Sequence, residues 1–215
     1  MNLVTIFFAL GLFVILPIIT ADYFFNKANS PFMFNLISGG IRIVLFLIYL
    51  IGISFLNDIK RLFQYHGAEH RTVYTFEAGL PLEIKETHQF PTQHPRCGTS
   101  FLFIVMIVAI LSFGIIDTIA LFYITNLEPF IRIIFHIPLI PVVGGIGYEV
   151  LKLTAKHRKN ILFQLLSAPG IWLQLITTKK PDDEQAEVAL EALKCAFGDD
   201  IPDYIGKEHI AEAIA

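Results

Sequence analysis

The sequence is poor in charged residues, which make up 16% of its 215 residues, and it contains two cysteines and one tryptophan. Soluble globular domains carry about 25% charged residues, so the low fraction excludes an ordinary water-exposed surface over the whole chain. Two cysteines, Cys97 and Cys195, are too few for a disulfide framework. A net charge of −3 argues against nucleic acid as the main partner. With 54% hydrophobic residues, the composition indicates a protein whose partner is membrane lipid.

Four apolar segments reach the roughly 20 residues with which an α-helix crosses a bilayer: 3–20, 34–56, 99–124 and 130–148. Residues 1–21 carry no charge and lack the basic start of a signal peptide, so the first segment is expected to be a retained helix. Pro138 and Pro141 interrupt the fourth segment, and we expect neighbouring protein to enclose that helix. The sequence therefore predicts an all-α, polytopic membrane protein with about four transmembrane helices plus cytoplasmic or interfacial helices.

The distribution of lysine and arginine along the chain predicts which segments lie on each side of the membrane. Residues 58–100 contain five and residues 150–215 contain eight, whereas Lys27, Arg42 and Arg132 belong to the other side. The positive-inside rule places the loop, the tail and, with four spans, both termini in the cytoplasm. The predicted organisation is spans one and two in 1–57, a cytoplasmic loop in 58–100, spans three and four in 101–150, and a cytoplasmic or interfacial tail in 151–215.

The tail contains one further apolar stretch, 161–178, which polar residues and Pro169-Gly170 interrupt. A fifth span would carry the basic tail to the outer side. We therefore predict two short interfacial or re-entrant helices that meet at Pro169-Gly170. After Pro181, acidic residues and a later glycine, Gly198, predict the beginning and end of a soluble helix.

The first polar motif is YHGAEH at residues 65–70. In a helix, His66 and His70 are one turn apart on one face and can share a metal ion. His-x-x-Glu-His is also the spacing of the inverted zinc-protease motif, so Glu69 is the candidate general base that activates a water molecule. The alternative is a helix end whose histidines cap carbonyl groups or face lipid headgroups.

The second motif is HPRCGTS at residues 94–100, directly before the third span. His94 and Cys97 form a ligand-competent pair. Thr99 or Ser100 can cap the following helix, whose N–H groups together with Arg96 favour an anion. That anion is a lipid phosphate, a substrate phosphate or a carboxylate from another loop. The alternative is an ordinary helix start with a basic anchor.

Glu149, at the cytoplasmic end of the fourth span, is the favoured third metal ligand, with His94 and Cys97 as competitors. Two histidines and one carboxylate are the composition of many catalytic zinc centres. The alternative is an ion pair of Glu149 with Lys152 or Arg71.

Two charges lie within the spans, Arg42 and Asp117. Intramembrane charges usually face the bundle interior and pair, so we expect these two to form a structural pair. The alternative is that Arg42 extends towards the membrane surface.

Four motifs carry a family resemblance: QYHGAEHR at 64–71, HPRCGTSF at 94–101, PVVGGIGYE at 141–149 and PGIWLQLITTKKPDDEQAEVA at 169–189. In this order they resemble the YqhQ family of bacterial membrane proteins, a family of unknown function often labelled a predicted metal-dependent enzyme. The resemblance implies a multi-pass protein of the bacterial cytoplasmic membrane. Family members usually begin with a longer, glycine-rich soluble segment, so we expect that this chain either lacks it or obtains it from a partner protein. A homo-oligomer is the other expected association.

These observations lead to three hypotheses. The first is a hydrolase of lipid or peptide bonds that uses a divalent metal, zinc by preference. The second is a non-catalytic membrane scaffold or assembly factor. Four protein ligands around a metal favour the scaffold, and three with an open position favour catalysis. The third is a transporter, which the interrupted fourth helix favours and the small number of spans disfavours.

Overall fold

The computed structural model describes residues 3–24, 30–124, 129–157 and 160–208. Within these ranges the regular secondary structure is helical and no strand occurs, which confirms the all-α prediction. The helices are α1 (Leu3–Phe24, with a π-helical turn at Gly11–Ile15), α2 (Pro31–Ile53), α3 (Asn57–Glu77), α4 (Ile84–Thr87), α5 (Gly98–Ala120), α6 (Pro129–Lys156), α7 (Ile161–Thr177) and α8 (Asp183–Phe197). A 3₁₀ turn, Gly198–Asp203, follows α8.

Four of these helices are long and apolar enough to cross a membrane. Their apolar parts are Leu3–Phe24, Phe32–Ile53, Gly98–Ala120 and Phe135–Thr154. At about 1.5 Å per residue, helices of this length match a hydrocarbon core of about 30 Å. The four predicted spans are therefore confirmed. The orientation of the spans stays a prediction. Three of the basic residues on which that prediction depends lie outside the described residues: Lys27, Arg158 and Lys159.

The chain forms two compact units. The span unit consists of Met1–Leu50 and Phe101–Leu151, and the polar unit consists of Ile51–Ser100 and Lys152–Ala215. In the polar unit, α8 packs along α3 around the buried side chains of Phe76, Leu82 and Leu190.

The predicted soluble helix of the tail is confirmed as α8. Asp182 accepts a hydrogen bond from Gln185 N, and the Gln185 side chain accepts one from Asp182 N, which completes a capping box. Gly198, with φ of 52°, ends the helix. Because a side chain is strained at this backbone angle, glycine suits the position.

The expected ion pair between Arg42 and Asp117 does not form among the described side chains of the span unit. Arg42 Nε donates instead to the carbonyl oxygen of Phe13, 2.8 Å away. The buried carboxylate of Asp117 contacts Asn35 Nδ2 at 2.7 Å and His136 Nε2 at 2.9 Å. Arg42 and Asp117 thus contact other groups on α1, α2 and α6, so the predicted pairing was wrong.

One expectation about the proline-containing helices was also wrong. Instead of two short helices, α7 is one 17-residue helix that continues through Pro169. A proline removes one N–H donor, and the turns on either side keep their own hydrogen bonds, so a long apolar helix continues through it. The enclosure of α6 by neighbouring protein stays a prediction: Val143 and Leu151 are buried, whereas Ile137, Ile140 and Val142 are more than half exposed.

Candidate metal centre

The two histidines of the first motif lie on one face of α3, as the spacing predicts. Helix α3 begins at Asn57, so the whole motif is helical. The rings of His66 and His70 lie one turn apart in an edge-to-face contact, with their centroids 4.4 Å from each other. His70 is buried and His66 is half-buried.

Gly67, between the two histidines, allows another segment of the chain to lie directly against α3. Lys179 N donates to the carbonyl oxygen of Phe63 at 2.8 Å. A methyl group at Gly67 would overlap the carbonyl oxygen of Lys179. The absence of a side chain at this position therefore brings the C-terminal end of α7 beside the histidines.

Backbone carbonyl groups orient both imidazole rings. His66 Nδ1 lies 2.8 Å from the carbonyl oxygen of Thr177, and His70 Nδ1 lies 2.5 Å from that of Thr92. A carbonyl oxygen only accepts hydrogen bonds, so each Nδ1 atom carries the proton. Each Nε2 atom then keeps its lone pair for another partner, which is the arrangement of metal-binding histidines in proteins.

Cys97 places its sulfur beside these rings. Its Sγ atom lies 3.1 Å from His66 Nε2 and 3.1 Å from Thr99 Oγ1. One ligand atom from each of His66, His70 and Cys97 lies within 4.8 Å of the other two. The structure therefore brings Cys97, one of the competing third ligands, to the histidine pair.

The electrostatics of the cluster favour a thiolate. Burial raises the pKa of the Cys97 thiol, but hydrogen bonds between the sulfur and His66, His70 and Thr99 outweigh burial and lower the pKa to about 5. The hydrogen bond to Cys97 raises the pKa of His66, against the opposing effect of burial. The thiolate is the form of cysteine that binds metals.

The side-chain amide of Gln174, on α7, holds the Cys97 loop in place. The side chain of Gln174 is completely buried. Its Oε1 accepts from His94 N at 2.7 Å, and its Nε2 donates to His94 O at 2.8 Å and to Ser100 Oγ at 2.6 Å. The sequence signal for this role was a polar residue, Gln174, within a mostly apolar helix.

A buried ion pair lies beside the cluster. Arg96, which the sequence suggested would hold an anion, pairs with the buried carboxylate of Glu77. His94 Nε2 lies 3.7 Å from the same carboxylate, and His94 Nδ1 accepts from Arg96 N at 3.2 Å. The anion next to Arg96 in this structure is thus a carboxylate of the protein, at the end of α3 rather than in another loop. Binding of a substrate anion by Arg96, Thr99 or Ser100 stays a prediction, as does metal binding by His94.

The two carboxylates of the sequence prediction, Glu69 as general base and Glu149 as metal ligand, are both exposed. Glu69 is exposed and lines a groove between α3 and α8, together with Tyr65 and Val188. Glu149 belongs to the span unit and is exposed. Its side chain is not one of the three that form the cluster among the described residues. The roles of Glu69 as general base and of Glu149 as ligand stay predictions.

Comparison with known proteins places the chain in a family. A family model described as "Protein of unknown function (DUF1385)" matches residues 1–199. The "Uncharacterized protein YqhQ" of Bacillus subtilis (strain 168) is 42% identical over 151 residues, which are 70% of this chain and 45% of the relative. The chain therefore spans less than half of the length of that relative. No solved structure matches the chain. These matches agree with the four ordered motifs, and the chain belongs to the YqhQ family of proteins of unknown function.

Proposed function

We propose that this protein is a membrane-embedded, metal-dependent hydrolase in which His66, His70 and Cys97 hold one divalent metal ion, zinc by preference. The observation that carries the proposal is the convergence of three ligand atoms within 4.8 Å. The two carbonyl groups that fix the imidazole rings support it, because such partners are typical of metal-binding histidines.

The donor set suits zinc. Imidazole nitrogen and thiolate sulfur are its usual ligands. Thr99 Oγ1 contacts the Cys97 sulfur at 3.1 Å, so the third ligand also has a partner within the protein. A bound zinc ion would supply a Lewis acid that polarises the bond to be cleaved.

The number of ligands favours catalysis over the scaffold hypothesis. Structural zinc sites are closed by four protein ligands, whereas catalytic sites use three and keep a fourth position open. The cluster within the described part of the chain has three members. Hydrolysis of a lipid or peptide bond is the corresponding chemistry for a site in a membrane protein. The expected partner protein and homo-oligomer stay predictions.

The distribution of lysine and arginine supports a position of the proposed metal centre on the cytoplasmic side of the membrane. We place residues 58–100 and the C-terminal tail in the cytoplasm of a bacterial cell because these regions contain most of the lysine and arginine residues. Reporter fusions test this placement. Green fluorescent protein joined to the tail should fluoresce, and alkaline phosphatase at the same position should be inactive. The opposite pattern would contradict the orientation.

Metal analysis of the purified protein tests the proposed centre. We expect about one zinc per chain in the wild type and a loss of zinc in His66→Ala/His70→Ala and in Cys97→Ser. His88→Ala and Cys195→Ser are matched controls, because both residues are exposed and lie outside the cluster. Equal metal content in all five proteins, or no metal in folded wild type after incubation with zinc, would contradict the proposal.

A further inference from the structure

Helix α7 has two faces of different character. The outer face carries large apolar side chains that are 55–66% exposed: Ile161, Leu162, Leu165, Leu166, Trp172 and Leu175. The inner face carries four buried residues, Gly170, Leu173, Gln174 and Thr177. The helix is therefore anchored to the polar unit on one side and presents a continuous apolar surface on the other.

The inner face of α7 holds the candidate metal centre. The carbonyl oxygen of Thr177 contacts His66 Nδ1 at 2.8 Å. Gln174 makes three hydrogen bonds to the loop that contains Cys97. Two of the three candidate ligands thus depend on α7 for their position.

Three observations indicate that lipid covers the outer face. With 17 residues, α7 is about 25 Å long, which is shorter than the hydrocarbon core of about 30 Å. Its first residue, Ile161, is five positions after Lys156, where α6 ends, and such a linker reaches at most about 18 Å. A methyl group on Gly170 would lie 2.7 Å from Ser100 Cβ, in the first turn of the third span. Because α7 contacts Ser100, at the beginning of one span, and follows another span closely in the chain, a membrane boundary suits its exposed apolar face. Trp172 on that face is typical of such a boundary.

We propose that the outer face of α7 lies in the boundary between lipid headgroups and acyl chains, and that this contact stabilises the metal centre on the inner face. A helix held by lipid keeps Gln174 and Thr177 in place for Cys97 and His66. Linkage is reciprocal, so lipid contact strengthens metal binding and metal binding strengthens lipid contact. The coupling rests on the proposed metal centre, whereas the lipid contact of α7 does not.

The first measurement tests lipid contact alone. Trp172 is the single tryptophan of the chain, so protein fluorescence reports directly on α7. The full-length protein is reconstituted in phosphatidylcholine and phosphatidylglycerol vesicles that contain lipids brominated at shallow or deep acyl positions. We expect strong quenching of Trp172 by the shallow bromines and weaker quenching by the deep ones. Absence of quenching, or stronger quenching by the deep bromines, would overturn the interfacial placement.

The second measurement tests the coupling. Zinc affinity is determined in the same vesicles by competition with a chelator, for the wild type, Leu165→Asp/Leu166→Asp and the control Val188→Asp. Val188 is 53% exposed on α8, comparable with the two leucines. We expect the double variant to bind zinc at least about tenfold more weakly than the wild type, because loss of the groups that orient metal ligands weakens metal binding by this order. The control should bind zinc as tightly as the wild type.

A further variant separates positioning from folding. Gln174→Met keeps the size and shape of the side chain and removes all three hydrogen bonds. We expect weaker zinc binding with unchanged quenching of Trp172, because the outer face is intact. Unchanged zinc affinity in both Gln174→Met and the double leucine variant would overturn the coupling. If Trp172 of the wild type is quenched as expected but the protein binds no zinc, the metal centre and the coupling are both overturned. The lipid contact would stand in that case.

Discussion

Replacement of Gly67 by alanine tests the close contact on which the candidate metal centre depends. The added methyl group would overlap the Lys179 carbonyl oxygen and lie 3.2 Å from Thr92 Cγ2. Overpacking of this kind costs about 1–3 kcal/mol, and the backbone oxygen cannot move aside as a side chain would. Displacement of Lys179 also weakens its hydrogen bond to Phe63, worth about 1 kcal/mol. Alanine recovers about 1 kcal/mol of helix propensity. We expect a net loss of stability on the order of 2 kcal/mol.

The effect should extend to metal binding, because Thr177, which orients His66, lies two residues before Lys179. Thermal unfolding in detergent and zinc competition measure the two effects. Gly52→Ala is the matched control, since a methyl group there meets no atom within 4 Å, and we expect equal or higher stability for it. Wild-type unfolding temperature and wild-type zinc affinity in Gly67→Ala would refute the reasoning.

Two further substitutions test the polar unit. Glu77→Gln should lower stability by about 3–5 kcal/mol because it leaves the buried Arg96 charge without its partner. The double variant Glu77→Met/Arg96→Met should recover most of that loss, and equal thermal unfolding of both variants would contradict a buried ion pair. Asp182→Ala removes the capping box of α8 and should cost about 1 kcal/mol. The exposed Asp183→Asn should cost less in the same unfolding assay, and the reverse order would contradict the capping role.

Residue spacing along the chain was sufficient to predict the spans, the helical face that carries the two histidines, and the tail helix. Apolar runs of about 20 residues specify spans because a bilayer leaves no other way to satisfy the backbone. The i, i+4 spacing placed His66 and His70 on one face of α3 because helical geometry is local. The tail helix was also predictable, since Asp182 and Gly198 are local start and stop signals.

Contacts between distant segments were not predictable in the same way. Glu77 and Arg96 are 19 positions apart, and nothing local to either residue specifies their pairing. Gln174 contacts a loop 80 positions away. The pairing of Arg42 with Asp117 was wrong for the related reason that opposite charge alone does not determine which helices meet. The proline-containing α6 and α7 stayed continuous because one missing donor does not end a helix whose other hydrogen bonds persist.

X-ray absorption spectroscopy of the zinc-loaded protein tests the central claim most directly. Two imidazole nitrogens at about 2.0–2.1 Å and one sulfur at about 2.3 Å are expected around zinc, with one further light atom in the open position. In Cys97→Ser the sulfur contribution should disappear, and in Cys195→Ser it should remain. A zinc environment without sulfur in the wild type, or one with sulfur that survives in Cys97→Ser, would contradict a centre formed by His66, His70 and Cys97.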